Sequence, residues 1–431
     1  MIQQHRGFIA GLTHPIVALG AACGAAIALY PNMIARSTTL TVLLTSGAVV
    51  ITTLIGAACA RLVPAFSRRG SAGVFAAAGT LLITATAVHT LWQNLIRADL
   101  GAPPTGWLHA PTVAMAAVVV FAAMTRLPRM ALATLIVACG VGAGLLSAPV
   151  AASPVSSTAE VSTATVSTAT VPTSTDAPGS GSADPTAHFL RAAGDLDSAV
   201  ASVVGRWRAE HTSFSTGRRA VVIAVPTGSG WVDAQAITAI TRHFGGAVDI
   251  VSVQYSARSS WRAFITDRDA AARSAIALLS AVITARDTDA ALGRPAIYLY
   301  GQSLGALGAD GARDWADAHH PGAVAGTLLA GVPADTVADT ARSPRRVLAN
   351  ASDPISRWST ALLWRPAHHP RGTEIIGRPT HSAPWLPVIS FLQTSVDLLG
   401  SLDGPAGTGH RYGAEQGRLP SYQPIGPRAA S

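Results

Sequence analysis

Lysine is absent from this chain of 431 residues, so every one of its 31 positions counted as Lys or Arg is arginine. The absence excludes a Walker lysine for nucleotide phosphates, a Schiff-base lysine and a Ser-Lys catalytic dyad. Charge is scarce too, at 13% of residues against about 25% in ordinary soluble proteins. The net charge is +8, but no basic helix or aromatic-basic patch accompanies it. We therefore expect no nucleic-acid partner.

Cysteine is also scarce, and this limits the cofactors that the chain can hold. All three cysteines lie in the first third of the sequence, at Cys23, Cys59 and Cys139. The rest of the chain therefore has no disulfide and no cysteine-based metal site. Gly301, Gly305 and Gly308 do not have the dinucleotide spacing G-x-G-x-x-G. We predict no metal, no other cofactor and no nucleotide.

Long apolar runs, by contrast, fill the first third. A helix needs about 20 apolar residues to span a bilayer. Five stretches approach this length with hardly a charge inside them: residues 9–30, 38–60, 71–96, 107–125 and 130–150. They predict a transmembrane helical bundle of about five spans over residues 1–150. Arginines concentrate at the N-terminus and in the second and fourth connections, so these are expected to be cytoplasmic. A multi-pass membrane protein of five spans would then have its catalytic domain outside the cytoplasm.

A low-complexity segment follows the apolar third. Residues 151–186 repeat Ser, Thr, Ala, Val and Pro. Such a composition buries too little apolar surface to offset the entropy lost on ordering. The sequence therefore predicts a disordered linker between the helical region and a third region, residues 187–431.

In residues 187–431 the pattern changes to apolar strands alternating with helices. The strands are predicted at 219–225, 248–254, 295–300, 323–330 and 346–349, and the helices at 232–243, 267–286 and 303–315. This alternation predicts a mostly parallel sheet with helices on both faces. Active sites of such sheets lie at the carboxyl ends of the strands, where the polar candidates of this chain also fall.

The strongest local motif surrounds Ser303. Residues 301–305 read Gly-Gln-Ser-Leu-Gly and separate an apolar strand from a helix. A serine on so abrupt a turn has a strained backbone, and the flanking glycines let strand and helix approach each other. We interpret Ser303 as a nucleophile, with the backbone N–H of Leu304 as one oxyanion-hole donor. The glycine-rich loop after the first predicted strand supplies the second donor, at Thr227 or Gly228.

A nucleophilic serine needs a base, and the base needs an orienting carboxylate, in the chain order Ser, acid, His. Asp353 follows the last predicted strand and precedes a proline, which favours an extended turn. We therefore prefer Asp353 to Asp335 as the acid. His410 lies in a late glycine-rich loop and is the preferred base. The other histidines downstream of Asp353 are His368, His369 and His381.

These motifs resemble the bacterial α/β-hydrolase family 9, whose members carry a multi-span N-terminal region before the hydrolase domain. The matching stretches are 226–231, 253–256 with Trp261, 300–305, 351–355 and 409–412. The resemblance implies an α/β-hydrolase fold, with Ser303 as nucleophile, Asp353 as acid and His410 as base. The family often has glutamate at the position of Gln302, and the Ser/Thr-rich linker is a feature of this chain.

The sequence therefore predicts a membrane-anchored serine hydrolase, esterase-like or lipase-like, or an acyltransferase that acts on esters. A membrane-tethered site would meet cell-envelope lipids, so we expect a lipid or small-molecule ester as the partner. The tryptophan- and proline-rich region 357–387 is interpreted equally as an acyl-binding wall or lid and as ordinary packing. One alternative is a catalytically inactive hydrolase-fold scaffold of the envelope. The other alternative is a transporter, which would need paired charges inside the spans, and the sequence lacks them.

Overall fold

The computed structural model describes residues 15–62, 71–126, 167–168, 188–213, 220–228, 230–255, 267, 269–378, 381 and 383–420. These residues form two compact units. The first comprises the described residues up to 126 together with 381–400, and the second comprises the described residues from 167 to 378 together with 401–420. The apolar stretch at 130–150 lies outside the described residues, as does the linker except for Ser167–Thr168.

Four apolar helices make up most of the first unit: α1 (Pro15–Ala28), α2 (Thr38–Leu62), α3 (Ser71–Asp99) and α4 (His109–Arg126). Among the described residues, two stretches are long and apolar enough to cross a bilayer, Thr38–Ala60 and Ala72–Asp99, with mean hydropathies of 2.1 and 1.6. Within the described residues, the apolar segments Pro15–Ala28 and His109–Thr125 are shorter than these two stretches. The prediction of about five spans is therefore not confirmed.

A short helix from much later in the sequence, α9 (Ile389–Asp397), also belongs to the first unit. The sequence analysis assigned this stretch to the catalytic domain, 187–431. Asp397 is 2% exposed, and its two carboxylate oxygens each accept a hydrogen bond at 2.8 Å, one from Arg36 Nη2 and one from the backbone N–H of Met33. Asn32 Nδ2 donates a further hydrogen bond to the same carboxylate at 3.1 Å. These bonds hold α9 against the connection between α1 and α2.

Because Asp397 is the charged partner of a buried arginine, its removal is expected to release α9. Removing one partner of a buried ion pair lowers stability by about 3–5 kcal/mol. We therefore expect Asp397→Ala to speed amide hydrogen exchange in the α9 peptide of the detergent-solubilised full chain by at least about 100-fold. Glu374→Ala is the control, since it removes only the solvent-accessible pair with Arg346. If the α9 peptide of Asp397→Ala exchanged at the wild-type rate, the Arg36–Asp397 pair would not be what holds this helix.

The second unit is built on an eight-stranded sheet with the order β1-β2-β4-β3-β5-β6-β7-β8. Its strands are β1 (Ser167–Thr168), β2 (His188–Ala192), β3 (Ala220–Val225), β4 (Val248–Val253), β5 (Ala296–Gln302), β6 (Val324–Ala330), β7 (Arg345–Asn350) and β8 (Glu374–Ile376). Each neighbouring pair is parallel except β1 and β2. The mostly parallel sheet predicted from the sequence is thus confirmed.

The helices of this unit are α5 (Leu196–Ser213), α6 (Ala234–His243), α7 (Asp269–Thr288) and α8 (Leu304–His319). Successive side chains of β3 point to opposite faces, so Val221 and Ile223 pack in one apolar cluster and Val222 and Ala224 in another. Residues of α5, α7 and α8 complete the first cluster, and residues of α6 complete the second. Both faces of the sheet are therefore covered.

The central strands place the candidate residues at one edge of the sheet. β3, β5, β6 and β7 are consecutive neighbours in the parallel sheet, so their carboxyl ends lie side by side. Thr227 follows β3, Ser303 follows β5, Gly331 follows β6 and Asp353 follows β7. Four segments that are far apart in sequence are brought together in this way.

Candidate active site

Ser303 is the single residue between the end of β5 and the start of α8. Its backbone has φ 58° and ψ −125°, a conformation that non-glycine residues rarely adopt. Such a conformation costs on the order of 1–3 kcal/mol and persists only where the surrounding structure enforces it. The Ser303 N–H donates to the carbonyl of Ala330 at the end of β6, at 3.0 Å. This bond fixes the turn to the neighbouring strand.

The two glycines of the motif allow close backbone packing around the serine. A Cβ on Gly301 would lie 2.1 Å from the carbonyl oxygen of Gly305. A Cβ on Gly305 would lie 2.2 Å from the carbonyl oxygen of Val225, the last residue of β3. Either distance is a collision with backbone. The spacing Gly-x-Ser-x-Gly is therefore a steric requirement of this turn, as the sequence analysis expected.

Asp353 and His410 form a buried pair. Asp353 is 0% exposed, and its Oδ2 lies 2.8 Å from Nδ1 of His410. Its other oxygen accepts the backbone N–H of Ile355 at 2.8 Å. Because an ionised carboxylate only accepts hydrogen bonds, we assign the proton to Nδ1, which leaves Nε2 as the acceptor nitrogen. Within the described residues, this buried Nε2 has no hydrogen-bond partner.

The imidazole lies at the same corner of the sheet as Ser303. A Cβ on Gly331 would lie 2.6 Å from Cε1 of His410, and Gly331 directly follows the residue whose carbonyl holds the Ser303 N–H. The side chain of Gln302 also donates to the His410 carbonyl at 3.2 Å. No hydrogen bond joins the Ser303 hydroxyl to Nε2 of His410 in the described part of the chain. In apo structures of such sites this bond is often long or poorly aligned.

Three of the four rival residues have hydrogen-bond or ion-pair partners other than Ser303, Asp353 and His410. Asp335 accepts hydrogen bonds from Ser359 at 2.6 Å and from Arg365 at 2.7 Å. His368 pairs with Asp339, and His381 pairs with Asp99 of the first unit, at 2.9 Å and 2.8 Å. Burial and the nearby Arg357 guanidinium lower the pKa of His369. Of the candidate acids and histidines, the structure brings together Asp353 and His410.

One candidate oxyanion donor lies on α8 and the others in the loop after β3. Leu304 is the first residue of α8, so its N–H has no intrahelical acceptor. The close approach of Gly305 to Val225 sets the start of α8 against the end of β3. In that loop the Thr227 N–H donates to the carbonyl of Trp231 at 2.9 Å, so it is already engaged. Gly228 is therefore the loop donor that we retain.

Three residues that the sequence analysis did not assign to the site hold the candidate acid and base in place. Tyr412 donates its hydroxyl hydrogen to Oδ2 of Asp353 at 2.7 Å. The Asn350 side chain donates to the carbonyl oxygens of residues 409 and 411, at 3.0 Å and 2.9 Å. Ser352 Oγ accepts the backbone N–H of residue 409 at 2.8 Å. Ser352 and Tyr412 had a signal in the sequence, because they lie in the stretches 351–355 and 409–412 that resemble the hydrolase family, whereas Asn350 lies outside these stretches.

Two further expectations concern cofactors and a lid. Within the described residues, no three His, Cys, Asp or Glu side chains cluster closely enough to hold a metal ion. The region 357–387 is divided between the two units, because its described residues up to 378 belong to the second and those from 381 to the first. Trp364 is 64% exposed. A role for this region as an acyl-binding wall stays a prediction.

Comparison with known proteins identifies the family. Residues 211–346 and 339–419 match the model of an alpha/beta-hydrolase family. The chain belongs to this α/β-hydrolase family. The mostly parallel sheet is accordingly that of an α/β-hydrolase fold, and the family supports a hydrolase-type activity. The matched residues include the serine turn, Asp353 and His410.

Solved structures offer weaker likenesses. The RedJ thioesterase from the prodiginine biosynthetic pathway in Streptomyces coelicolor is 18% identical, over 44% of this chain and 90% of that one, with a TM-score of 0.24. RedJ with a PEG molecule in the active site is 16% identical, over 43% of this chain and 79% of that one, with a TM-score of 0.23. These TM-scores are too low to support any conclusion about this chain. No curated protein matches the chain.

Proposed function

We propose that this α/β-hydrolase is a membrane-anchored serine hydrolase or acyltransferase that acts on an ester or thioester through Ser303, His410 and Asp353. The observation that carries the proposal is the buried His410–Asp353 pair. Among the residues that the structure describes, Nε2 of His410 has no hydrogen-bond partner, and it lies at the edge of the sheet where Ser303 is held in a strained turn. A nucleophile, a base and an orienting carboxylate are the parts that acyl transfer requires.

The proposed reaction begins when Nε2 of His410 takes the proton from Ser303 Oγ. Oγ attacks the substrate carbonyl, and the N–H groups of Leu304 and Gly228 stabilise the oxyanion, each by on the order of 3–4 kcal/mol. His410 then protonates the leaving alcohol or thiol as the tetrahedral intermediate collapses to an acyl-enzyme. Asp353 keeps the imidazole oriented and stabilises its positive charge.

The second half of the reaction decides between hydrolysis and transfer. His410 removes a proton from water or from an acceptor alcohol, whose oxygen attacks the acyl-enzyme. The C–O bond to Ser303 breaks, and His410 returns the proton to Oγ. Hydrolysis and acyl transfer share every residue up to this point, so the acceptor alone distinguishes them.

Membrane anchoring is supported by the apolar surface of the first unit. Ile55 on α2 and Ile83 and Leu91 on α3 are 57%, 68% and 67% exposed. Large apolar side chains exposed along two helices of spanning length suit a hydrocarbon environment and are unfavourable in water. The arginine distribution of the sequence favours an extracytoplasmic catalytic unit, where cell-envelope lipid esters are within reach.

Turnover of esters by the full chain in detergent tests the proposal. Acyl esters and acyl thioesters of increasing chain length, each with a chromogenic leaving group, form a suitable panel. We expect a rapid release of about one equivalent of leaving group before steady turnover, because an acyl-enzyme accumulates. The absence of both burst and turnover across the panel would favour the inactive scaffold instead.

A further inference from the structure

We propose that Tyr412 is a positioning residue for the reaction. Its hydroxyl shares the Asp353 carboxylate with His410 and thereby sets how strongly that carboxylate stabilises the imidazolium. The inference rests on the proposed function, since it concerns the same site. It adds a fourth side chain to the three that the acyl-transfer scheme requires.

The hydrogen bonds of Tyr412 fix the direction of its hydroxyl. Its oxygen lies 2.7 Å from Oδ2 of Asp353, the same atom that lies 2.8 Å from Nδ1 of His410. The backbone N–H of Asn350 donates to the hydroxyl oxygen at 3.1 Å. A hydroxyl has one hydrogen, and a backbone N–H can only donate. The hydroxyl hydrogen of Tyr412 therefore points to Asp353.

Packing holds the two rings in a fixed relation. The tyrosine is 2% exposed and meets the His410 imidazole edge to face, with ring centroids 5.8 Å apart and planes at 89°. Both rings pack on Gly331, where a Cβ would lie 2.8 Å from Tyr412 and 2.6 Å from His410. Gly331 has φ 58°, so the close contact also relies on a backbone conformation that favours glycine. Neither ring can shift far without disturbing the other.

Sharing one carboxylate oxygen between two donors has an electrostatic consequence. The hydrogen bond from Tyr412 spreads part of the negative charge that would otherwise stabilise the imidazolium of His410. Burial and the Asp353 charge raise the pKa of Tyr412 well above its usual value, so the phenol stays protonated and remains a donor. Arg357 and His369 also interact electrostatically with Asp353. These two interactions with Asp353 are expected to stay the same when only the phenol oxygen of Tyr412 is removed.

Tyr412→Phe tests the inference. The full chain in detergent is assayed for kcat, KM and the pH dependence of kcat/KM, with active sites counted by a fluorophosphonate titrant. We expect kcat to fall by about ten-fold, because the Asp353 carboxylate loses a hydrogen bond that fixes its orientation toward His410, with KM unchanged. The carboxylate charge then acts on His410 alone, so the imidazolium persists to higher pH. The acidic limb of the profile is expected to shift upward by about half a unit to one unit.

Tyr300→Phe is the matched control. Tyr300 is 1% exposed, and its hydroxyl donates to Gln416 at 2.6 Å rather than to Asp353. This variant also removes one buried phenol oxygen from the same unit. We expect its kcat per active site and its acidic limb to equal those of the wild type.

A second substitution keeps the shape of the side chain, in case the phenylalanine variant folds poorly. 3-Fluorotyrosine at position 412 has a more acidic phenol and is therefore a stronger hydrogen-bond donor. The acidic limb is expected to move to lower pH, opposite in sign to the shift in Tyr412→Phe. The same amino acid at position 300 is expected to leave the limb in place.

The outcomes separate this inference from the function on which it rests. Opposite shifts in the two variants at position 412, with none at position 300, support the positioning role. If both variants at position 412 had the wild-type kcat per active site and the wild-type pH profile, the positioning role would be overturned and the proposed enzyme would stand. A tyrosine with a merely structural role changes only the fraction of molecules that are active. No turnover by the wild type would overturn the proposed function and this inference together.

Discussion

Replacing Ser303 with alanine is expected to lower kcat by about 10⁶-fold, the loss seen when the serine nucleophile of a catalytic triad is removed. Without Oγ no acyl-enzyme can form, and neither Leu304 nor Gly228 can replace it. The loss should appear in kcat for every ester that the wild type accepts. The measurement is steady-state turnover of the full chain in detergent.

The control for Ser303→Ala is the same substitution at a serine that does not lie at the carboxyl-terminal edge of the sheet. Ser280 lies on α7 and is not assigned to the site. Ser280→Ala is expected to keep wild-type kcat and KM. The melting temperature of Ser303→Ala should equal that of the wild type, because alanine still fits the turn between Gly301 and Gly305. Retention of more than a few per cent of kcat in a homogeneous Ser303→Ala preparation would exclude Ser303 as the nucleophile.

The second large effect is expected at Asp353. Asp353→Asn should lower kcat by about 10⁴-fold, the loss measured when the triad aspartate of a serine protease becomes asparagine. The asparagine amide has no charge to stabilise the imidazolium and can hold His410 in the wrong tautomer. Substrate affinity is expected to change little, because the acid is buried behind the histidine. The measurement is kcat and KM over a range of pH.

Asp335→Asn is the matched control for Asp353→Asn. Asp335 also follows a strand of the sheet, but its carboxylate accepts hydrogen bonds from Ser359 and Arg365. Its replacement is expected to leave kcat within about two-fold, as its pair with Arg365 is partly exposed. If Asp335→Asn lost activity while Asp353→Asn kept it, the acid of the site would be reassigned to Asp335.

The features that sequence reasoning predicted rest on short-range rules. The turn at Ser303 follows from sterics within five residues, since Gly301 and Gly305 are needed for strand and helix to meet. The alternation of apolar strands with helices specifies a parallel sheet, and the carboxyl ends of its strands specify the edge where a site forms. Asp353 and His410 then follow from chain order, and the structure brings them to 2.8 Å.

The features that sequence reasoning missed depend on contacts between distant residues. Arg36 and Asp397 are 361 positions apart, and no periodicity in α9 shows that this helix packs with the first unit. The hydroxyl of Tyr412 reaches Asp353 only because two loops meet at the sheet edge. The engagement of the Thr227 N–H depends on how its loop closes on Trp231. Strand β8 at one edge of the sheet and strand β2 next to the other edge are short, at three and five residues, and lack a clear apolar alternation.

The central claim, that Ser303 is a nucleophile activated by the buried His410–Asp353 pair, is tested most directly by covalent labelling. The wild-type full chain is treated with a fluorophosphonate, digested and mapped by mass spectrometry. We predict one phosphonate adduct, on the peptide that contains residue 303 and on Ser303 itself, and much slower labelling in Asp353→Asn. An enzyme that turns over esters but carries its adduct on another side chain, or carries none, would contradict the account.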